Sequence, residues 1–337
     1  MSILKDNFQR TIDYMRISIT DRCNLRCIYC MPSEGLVPMK HEDILSYEEI
    51  ARILRITVRI GVRKVRITGG EPLIRKNVSY LISLIENIKG IEDLSLTTNG
   101  IPLAGCAQDI ADAGLKRVNI SLDSLRADRY REITRGGDLD SVFKGIESAE
   151  RAGLIPIKIN MVPMRGFNDD EIGDFAQLTL KTPYQVRFIE FMPFGKENMW
   201  KPDYFISAEE IKSRVEKIGQ LHSVRLRKSG PARYYAFDGA AGVLGFISPL
   251  SNHFCGKCNR LRLTADGKIR PCLFSETEID IKTALRNGAP ESEIERLIRL
   301  AIQVKPKGHN MRIQDTDLGK LLRDGGDYKR PMSRIGG

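Results

Sequence analysis

The sequence lacks the long apolar runs that membrane proteins need. Nowhere do about 18 apolar residues follow one another, and the first ten residues contain no apolar segment. We therefore expect no transmembrane span, no signal peptide and no membrane partner, and we expect a cytoplasmic protein. Aromatic residues are also scarce, at 7% with a single Trp, which disfavours a protein that stacks nucleic-acid bases on aromatic rings. We therefore expect no nucleic-acid partner.

What the chain does have is an excess of positive charge. Its 337 residues include 53 Lys and Arg against 43 Asp and Glu, a net charge of +10. Such an excess favours an anionic partner, for example a nucleotide. The hydrophobic content of 42% excludes a disordered chain, and the length predicts two domains, or one α/β barrel with an appendage.

Strand and helix patterns alternate between residues 16 and 192. The predicted strands are Arg16–Thr20, Lys64–Thr68, Leu94–Thr98, Arg117–Ser121, Ile157–Met161 and Val186–Phe191. The predicted helices between them are Tyr47–Ile60, Val78–Ile88, Gly105–Ala113, Ser141–Ala152 and Asp169–Leu180. Successive crossovers through helices predict a parallel α/β sheet, and six units favour a partial (β/α)6 TIM-like barrel over a doubly wound open sheet. We assign residues 1–195 to this barrel and residues 196–337 to a C-terminal α+β domain.

Three of the seven Cys stand directly after the first predicted strand. They are Cys23, Cys27 and Cys30, in a C-x3-C-x2-C pattern. Such a loop can place three thiolates around one soft metal centre and leave a fourth coordination position open. We predict a [4Fe–4S] cluster with one open iron; the alternative is a structural zinc site whose fourth ligand lies elsewhere.

A second group of three Cys lies near the C-terminus. Its members are Cys255, Cys258 and Cys272. Asp266-Gly267 between two strand-like runs predicts a hairpin that sets Cys272 opposite Leu261, close to Cys258. Three thiolates again indicate a cluster with an open iron, and the alternative is a zinc site completed by His253. We expect Cys106, in a helical pattern, to be a small core residue.

Basic residues occupy strands that should be apolar if the sheet is buried on both faces. They are Arg16, Lys64, Arg66, Arg117, Lys158 and Arg187. Buried cations require anionic partners, so a barrel lined in this way predicts a cationic cavity for a polyphosphate. The alternative is that several lie at exposed strand ends or pair with nearby Asp and Glu. Outside the barrel, we expect Lys305–Lys307 to form a solvated face and His309 to be a surface residue or a polar residue with satisfied hydrogen bonds.

The first Cys group and the segment one βα unit later resemble the radical S-adenosylmethionine (SAM) superfamily. That segment is Thr68-Gly69-Gly70-Glu71-Pro72, which is similar to the superfamily's GGEP motif. Paired Gly lets a backbone approach a ligand closely at the end of a strand. The resemblance implies a radical SAM barrel in which the open iron binds SAM, and reductive cleavage of SAM yields a 5′-deoxyadenosyl radical.

The second Cys group, with the embedded Arg260-Leu261-Arg262, is similar to the GTP 3′,8-cyclase family (molybdenum cofactor biosynthesis protein A). The likeness runs from Arg16 to the terminal Gly-Gly. It implies a C-terminal cluster-binding domain and two [4Fe–4S] clusters, of which the second binds the guanine of GTP. The implied reaction converts GTP to (8S)-3′,8-cyclo-7,8-dihydroguanosine 5′-triphosphate, the first step of molybdenum cofactor (molybdopterin) biosynthesis, by abstraction of the ribose C3′ hydrogen.

The resemblance also implies partners and residue roles. The partners are GTP, a reduced flavodoxin- or ferredoxin-type electron donor, and a cyclic pyranopterin monophosphate synthase that receives the product; the protein would be a monomer or a homodimer. SAM-contacting positions would be Tyr29, Gly70, Ser121 and Met192. GTP-contacting positions would be Arg16, Arg66, Thr97, Lys158, Arg260, Leu261 and Arg262, with added charge from Lys64 and Arg187. The tail residues Gly336 and Gly337 would reach the active site and take part in catalysis.

Two other functions stay open at this stage. A radical SAM peptide-modifying enzyme would need a substrate groove in place of a cationic cavity. A zinc-stabilised nucleic-acid-binding protein would be colourless and would carry aromatic residues near its basic patch. One geometric conflict also arises, because Arg187 and Met192 have opposite parity and a regular strand cannot aim both inward.

Overall fold

The computed structural model describes residues 4–194, 200–226, 230–309 and 330–336. Six parallel strands form the centre of its sheet, with neighbours in chain order. They are β1 (Tyr14–Ser18), β2 (Lys64–Thr68), β3 (Asp93–Thr98), β4 (Arg117–Ser121), β5 (Lys158–Met161) and β6 (Gln185–Ile189). The connecting helices are α1 (Tyr47–Arg59), α2 (Val78–Glu86), α3 (Ala107–Asp112), α4 (Ala127–Thr134), α5 (Leu139–Arg151) and α6 (Ile172–Lys181). The predicted partial (β/α)6 barrel is confirmed.

The C-terminal part of the chain extends this sheet on both sides. It contributes β7 (Leu221–Val224), β8 (Arg233–Phe237), β9 (Val243–Ile247), β10 (Arg260–Leu263), β11 (Lys268–Arg270) and β12 (Ile279–Asp280). Its helices are α7 (Ala208–Glu216), α8 (Lys282–Arg286), α9 (Glu291–Gln303) and the terminal turn Met332–Ile335. Strand β9 pairs in parallel with β6, and β10 with β1, while the outer strands are antiparallel. The division of the chain at residues 195 and 196 stays a prediction, because one sheet runs through both parts.

The helices cover the outer face of the sheet because their sequences are amphipathic and start at defined caps. Helix α1 begins with a capping box in which Ser46 Oγ accepts from the Glu49 amide at 3.1 Å and the Glu49 carboxylate accepts from the Ser46 amide at 2.7 Å. The buried face of α1 packs on apolar strand residues such as Ile17 and Ile67. This core fixes the strand ends, which in turn position the site. No described helix has both the length and the apolar character needed to span a bilayer.

The predicted C-terminal hairpin is present, but its register was wrong by one residue. Arg262 lies opposite Arg270, and Leu263 opposite Ile269. The amide of Gly267 donates to the carbonyl of Thr264 at 3.0 Å, and Gly267 has a φ of 76°. The loop therefore contains three residues instead of two, since a glycine in the left-handed region allows the longer turn. Helix α4 was also missed, because it is only eight residues long and lies shortly before α5 in the sequence.

Candidate functional site

Most of the residues singled out by the sequence line one cavity inside the barrel. It extends from the first residues of strands β2 and β5 to the loops beyond the carboxyl ends of the strands. From the barrel strands its lining includes Arg16, Lys64, Arg66, Thr97, Ser121, Lys158 and Arg187. From the loops and the C-terminal part it includes Tyr29, Met192, Cys255, Cys258, Arg260, Arg262 and Cys272. The barrel's basic strand residues and the second Cys group thus share one chamber.

Three arginines lie side by side across neighbouring strands of this cavity. Arg262 of β10 is in register with Arg16 of β1, and Arg16 is in register with Arg66 of β2. Burial, followed by the charge of Arg260, lowers the pKa of the Arg262 guanidinium to about 9. Burial and the nearby Arg262 likewise hold the pKa of Arg16 well below its ordinary value. This cation row, Arg262–Arg16–Arg66, is built to receive an anion.

Two further cations complete the basic wall on the other side of the cavity. Lys158 is 5% exposed, and burial together with the charges of Arg187 and Arg117 lowers its pKa to about 7. Burial lowers the pKa of Arg187 to about 10, and its guanidinium donates to Asn119 Oδ1 at 2.6 Å. Lysine can lose its proton under these conditions, whereas arginine stays charged. Lys158 is therefore the cation whose charge depends on what occupies the cavity.

Some of the strand cations follow the alternative of pairing with nearby acids. Lys64 Nζ donates to Asp13 Oδ2 at 3.0 Å. Arg117 forms a close ion pair with Asp93 on the adjacent strand. Lys64 and Arg117 are the first residues of β2 and β4, whereas Arg66 of the cation row lies two residues further along β2. Their charge is compensated within the chain, so they contribute less to anion binding.

Cys23, Cys27 and Cys30, here called the first cysteine site, form a compact loop after β1. The Cys30 amide donates to the Cys27 carbonyl at 2.9 Å, and the Leu25 amide donates to Cys23 Sγ at 3.4 Å. Burial raises the pKa of the Cys27 thiol well above its ordinary value, and the neighbouring Cys30 and Asp123 raise it further. Burial also raises the pKa of Cys30 to about 12. Three such thiolates become stable together only when a positively charged metal centre binds them.

The GGEP segment holds this loop in place. A Cβ on Gly70 would collide with the carbonyl of Arg22, and the Gly70 amide donates to the Thr20 carbonyl at 2.8 Å. Gly70 was expected to let the backbone approach a ligand closely. The structure shows that it also lets two parts of the chain's own backbone, at Gly70 and at Thr20–Arg22, approach each other. Buried Glu71 accepts from the Asn99 amide at 2.6 Å and from Thr98 Oγ1 at 2.8 Å. Burial raises the pKa of Glu71 to about 7, although these hydrogen bonds act to lower it.

The second cysteine site lines the cavity and consists of Cys255, Cys258 and Cys272. Burial opposes ionisation of Cys258, but the cations of Arg260 and Lys305 outweigh it and lower its pKa to about 6. Lys305 is 3% exposed and lines the cavity, so the prediction of a solvated face was wrong for this residue. Partly buried His309 lines the cavity as well. The sequence carried no periodic signal for them, because residues 305–309 follow the end of a helix and adopt no regular structure.

Each cysteine site supplies three thiols, which is the number that leaves one iron of a four-iron cluster without a protein ligand. A four-iron cluster attaches each thiolate to a different iron, whereas one tetrahedral zinc needs a fourth ligand. His253, the alternative fourth ligand of the second site, packs its ring against His309 with centroids 5.1 Å apart. Both cysteine sites would hold an iron–sulfur cluster through three protein ligands.

The chain is similar to enzymes of one family along its whole length. The Radical SAM superfamily pattern matches residues 17–179, and the Molybdenum Cofactor Synthesis C pattern matches residues 184–311. The GTP 3′,8-cyclase of Thermodesulfovibrio yellowstonii is 54% identical over 336 residues, which cover 99% of this chain and 100% of that protein. That of Moorella thermoacetica is 52% identical, again over 99% of this chain and all of that protein. This chain belongs to the GTP 3′,8-cyclase family.

Solved structures of other radical SAM proteins share the fold. SuiB of Streptococcus suis, determined with S-adenosylmethionine bound, aligns with 86% of this chain and 68% of its own, with a TM-score of 0.59 and 18% identity. Native anSMEcpe with bound AdoMet aligns with 88% and 82%, with a TM-score of 0.55 and 14% identity. Together with the Radical SAM pattern over residues 17–179, these likenesses confirm the radical SAM type of barrel for this chain. At 18% and 14% identity, the two solved structures show the fold alone.

In this cyclase the C-terminal tail enters the cavity region. Gly336 has a φ of 70°, and a Cβ there would lie 2.5 Å from Thr68 Oγ1. Arg262 Nη1 donates to the Gly336 carbonyl at 2.5 Å. The tail therefore touches the cation row and the ends of β1 and β2 at Ser18 and Thr68. Gly337 lies outside the described residues.

The structure places the Leu261 side chain outside the cavity and resolves the conflict between Arg187 and Met192. Leu261 is fully buried in the hydrophobic core, on the face of β10 opposite Arg260 and Arg262, so its side chain does not line the cavity. Strand β6 ends at Ile189, so Met192 lies beyond the regular strand and both it and Arg187 reach the cavity. The parity conflict disappears because the alternation rule holds only inside the strand.

Sequence reasoning assigned no role to Asp123, which also lines the cavity. Tyr29 Oη donates to Asp123 Oδ2 at 2.6 Å, and Asp123 Oδ1 accepts from the Val162 amide at 2.9 Å. Burial raises the pKa of Asp123 to about 6. A signal was present, since Asp123 shares parity with Ser121 at the end of β4. The hydrogen bond fixes Tyr29 between the first cysteine site and the cavity.

Proposed function

We propose that this chain is a GTP 3′,8-cyclase that converts GTP to (8S)-3′,8-cyclo-7,8-dihydroguanosine 5′-triphosphate in molybdenum cofactor biosynthesis. The observation that carries the proposal is the single cavity in which a buried cation row and the second cysteine site meet, with Tyr29 of the first cysteine loop on its wall. This arrangement suits a substrate with a polyphosphate at one end and a metal-binding heterocycle at the other. The full-length likeness to GTP 3′,8-cyclases supports the same substrate.

The two cysteine sites would each hold one [4Fe–4S] cluster, and Tyr29, Gly70, Ser121 and Met192 would contact SAM. When bound, the clusters and SAM supply the 5′-deoxyadenosyl radical that removes the ribose C3′ hydrogen of GTP. The chain's own part is to bind and orient both molecules in a closed chamber. The tail residue Gly336 lies against Thr68, and its carbonyl accepts a hydrogen bond from Arg262 of the cation row.

The buried cations bind and orient the triphosphate. Arg16, Arg66, Arg262, Lys158 and Arg187 lie on the inner faces of five strands, so the charge is presented on a curved wall. Their mutual repulsion in the free protein is relieved when phosphate oxygens accept hydrogen bonds from them. Thr97 has a buried hydroxyl without a partner among the described residues, and it would donate to GTP.

Replacing one cation of this wall should weaken GTP binding without unfolding the protein. We expect Lys158→Ala and Arg66→Ala each to cost about 1.5–3 kcal/mol of binding free energy, the usual range for a hydrogen bond to a charged group. Isothermal titration of anaerobic protein with GTP measures the effect. The matched control is Lys89→Ala, since Lys89 is exposed. Equal affinities of all three variants would contradict the assignment.

The pH dependence of GTP binding should report the charge of Lys158. Its pKa is lowered to about 7 by burial and by Arg187, Arg117 and Arg66, against the opposing charge of Asp93. Bound triphosphate favours the ammonium form, so binding takes up a proton above pH 7 and affinity should fall by up to about tenfold per pH unit. Below pH 7 the lysine is already charged, and this dependence should level off.

The control for this pH effect is Lys158→Arg, in which the charge no longer titrates. GTP titrations between pH 6.5 and 9 should show a flatter profile for Lys158→Arg than for the wild type. Identical slopes in the two proteins would show that another group causes the dependence.

Loss of the second cysteine site should separate GTP binding from SAM cleavage. We expect Cys272→Ala to weaken GTP affinity while reductive SAM cleavage stays detectable, because the first cysteine site is intact. GTP titration and chromatographic detection of 5′-deoxyadenosine measure the two properties on one preparation. Unchanged GTP affinity in a protein that has lost half of its iron would place the guanine elsewhere.

The remaining partners and the organisation of the chain are part of the proposal. The net charge of +10 suits an acidic one-electron donor of the flavodoxin or ferredoxin type. We propose that a cyclic pyranopterin monophosphate synthase consumes the product, that the protein acts in the cytoplasm as a monomer or homodimer, and that its domains are residues 1–195 and 196–337. The family patterns, which meet between residues 179 and 184, support a division near this point.

A further inference from the structure

A buried lysine lies behind the second cysteine site. Lys305 is 3% exposed, whereas Lys307, two residues later, is exposed. Lys305 Nζ donates to the Arg260 carbonyl at 2.8 Å and to the Pro271 carbonyl at 2.6 Å. Arg260 starts β10 shortly after Cys258, and Pro271 directly precedes Cys272. One ammonium group therefore joins the two chain segments that carry Cys258 and Cys272.

A buried arginine, Arg10, joins the loop of Cys255 to the segment that follows Lys305. Arg10 forms a buried ion pair with Asp6 at 2.6 Å, which fixes its guanidinium. It donates to the carbonyl of Cys255 at 2.8 Å and to those of Pro306 and Lys307 at 2.6 and 2.9 Å. Arg10 thus fastens the segment 305–309, here called the strap, to the loop that carries Cys255. The strap and that loop are about fifty residues apart in the sequence, and Arg10 joins them.

The strap also lies close to the cysteines themselves. A Cβ on Gly308 would lie 3.6 Å from Cys255 Cβ and 3.9 Å from Cys255 Sγ, so the strap lies directly against this cysteine. The carbonyls that Lys305 binds are those of Pro271, next to Cys272, and of Arg260, two residues after Cys258. The same five-residue segment therefore lies against Cys255 and places a positive charge near Cys258 and Cys272. Hydrogen bonds to sulfur and local charge are the means by which proteins set cluster stability and potential.

We propose that Lys305 is a positioning residue for the second cluster: it holds the segments of Cys258 and Cys272 at the spacing of the cluster and places a fixed positive charge beside it. This inference rests on the proposed function, because it requires a cluster at the second cysteine site. The charge stabilises the reduced, more negative cluster and raises its reduction potential. The two hydrogen bonds slow the loss of iron. Arg10 acts with Lys305 by fastening the strap.

The test uses the full-length chain with Cys23, Cys27 and Cys30 replaced by Ala, so that all iron belongs to the second site. In this background, Lys305→Met is compared with Lys307→Met, the exposed neighbour. We expect Lys305→Met to lose iron to a chelator roughly tenfold faster, as expected for losing charge-assisted hydrogen bonds. We also expect a reduction potential about 59 mV lower, a tenfold change in the one-electron equilibrium. Lys307→Met should match the background protein in both measurements.

A second variant separates the two contributions and keeps the test valid if Lys305→Met folds poorly. Lys305→Gln keeps N–H donors and removes the charge, so we expect the lower potential with slower iron loss than Lys305→Met. Potentials and iron-loss rates equal to those of Lys307→Met in both variants would overturn the inference while leaving the second cluster in place. A background protein without any iron would overturn the inference and the proposed second cluster together.

Discussion

Deletion of Gly336 and Gly337 is expected to abolish cyclisation while GTP affinity and iron content stay near those of the full chain. Glycines offer almost no binding surface, so their value lies in close backbone approach. The structure gives Gly336 a left-handed φ of 70° and places it against Thr68 and Ser18, beneath the cation row. Without the tail, the space around GTP and SAM would be less enclosed, whereas the residues that bind the two molecules would remain in place.

The single substitution Gly336→Ala sharpens this prediction. Its Cβ would lie 2.5 Å from Thr68 Oγ1, so the tail must move although its length is unchanged. We expect a strong loss of product, measured by chromatography, with intact SAM cleavage. Gly105→Ala is the control, since an added Cβ at this exposed position meets no atom within 4 Å. Full product formation by the truncated chain would show that the tail is only a frayed end.

Replacement of Cys23, Cys27 and Cys30 by Ala is expected to abolish SAM cleavage and to halve the iron content. Anaerobically prepared wild-type protein should hold about eight iron and eight sulfide per chain, because each three-cysteine site fits a four-iron cluster. The variant should retain about four of each and keep its affinity for GTP. Metal and sulfide analysis with a visible spectrum measures this.

Cys106→Ala is the matched control for the cysteine variant. Cys106 is half-buried and its thiol donates to the Pro102 carbonyl at 3.4 Å, away from both cysteine sites. It should keep full iron and full SAM cleavage. Stoichiometric zinc in place of iron in the wild-type protein would contradict the cluster assignment for both sites.

The sequence predicted the barrel and the inner-face positions of Arg16 and Arg66 because both follow from short-range alternation. Strands β2 and β4 begin and end where the pattern placed them, and Arg66 lies on the inner face together with Lys64, as parity requires. Parallel pairing then brings Arg16 level with Arg66.

Other features depended on the tertiary structure and could not be predicted from the sequence. The hairpin register follows from the conformation of Gly267, which the Asp-Gly pair does not determine. Lys305 is buried because it meets carbonyls of segments more than thirty residues away. Strands β9 and β10 join the barrel through long-range pairing, so their five- and four-residue patterns gave no sign of parallel partners.

The central claim is that one cavity brings the C3′ hydrogen of bound GTP to the radical generated at the first cysteine site. The most direct test supplies GTP carrying deuterium at C3′ to the reduced, anaerobic enzyme together with SAM, followed by mass spectrometry of the products. The account predicts deuterium in 5′-deoxyadenosine and a cyclised nucleotide without it at C3′. Unlabelled 5′-deoxyadenosine beside unchanged GTP would contradict it.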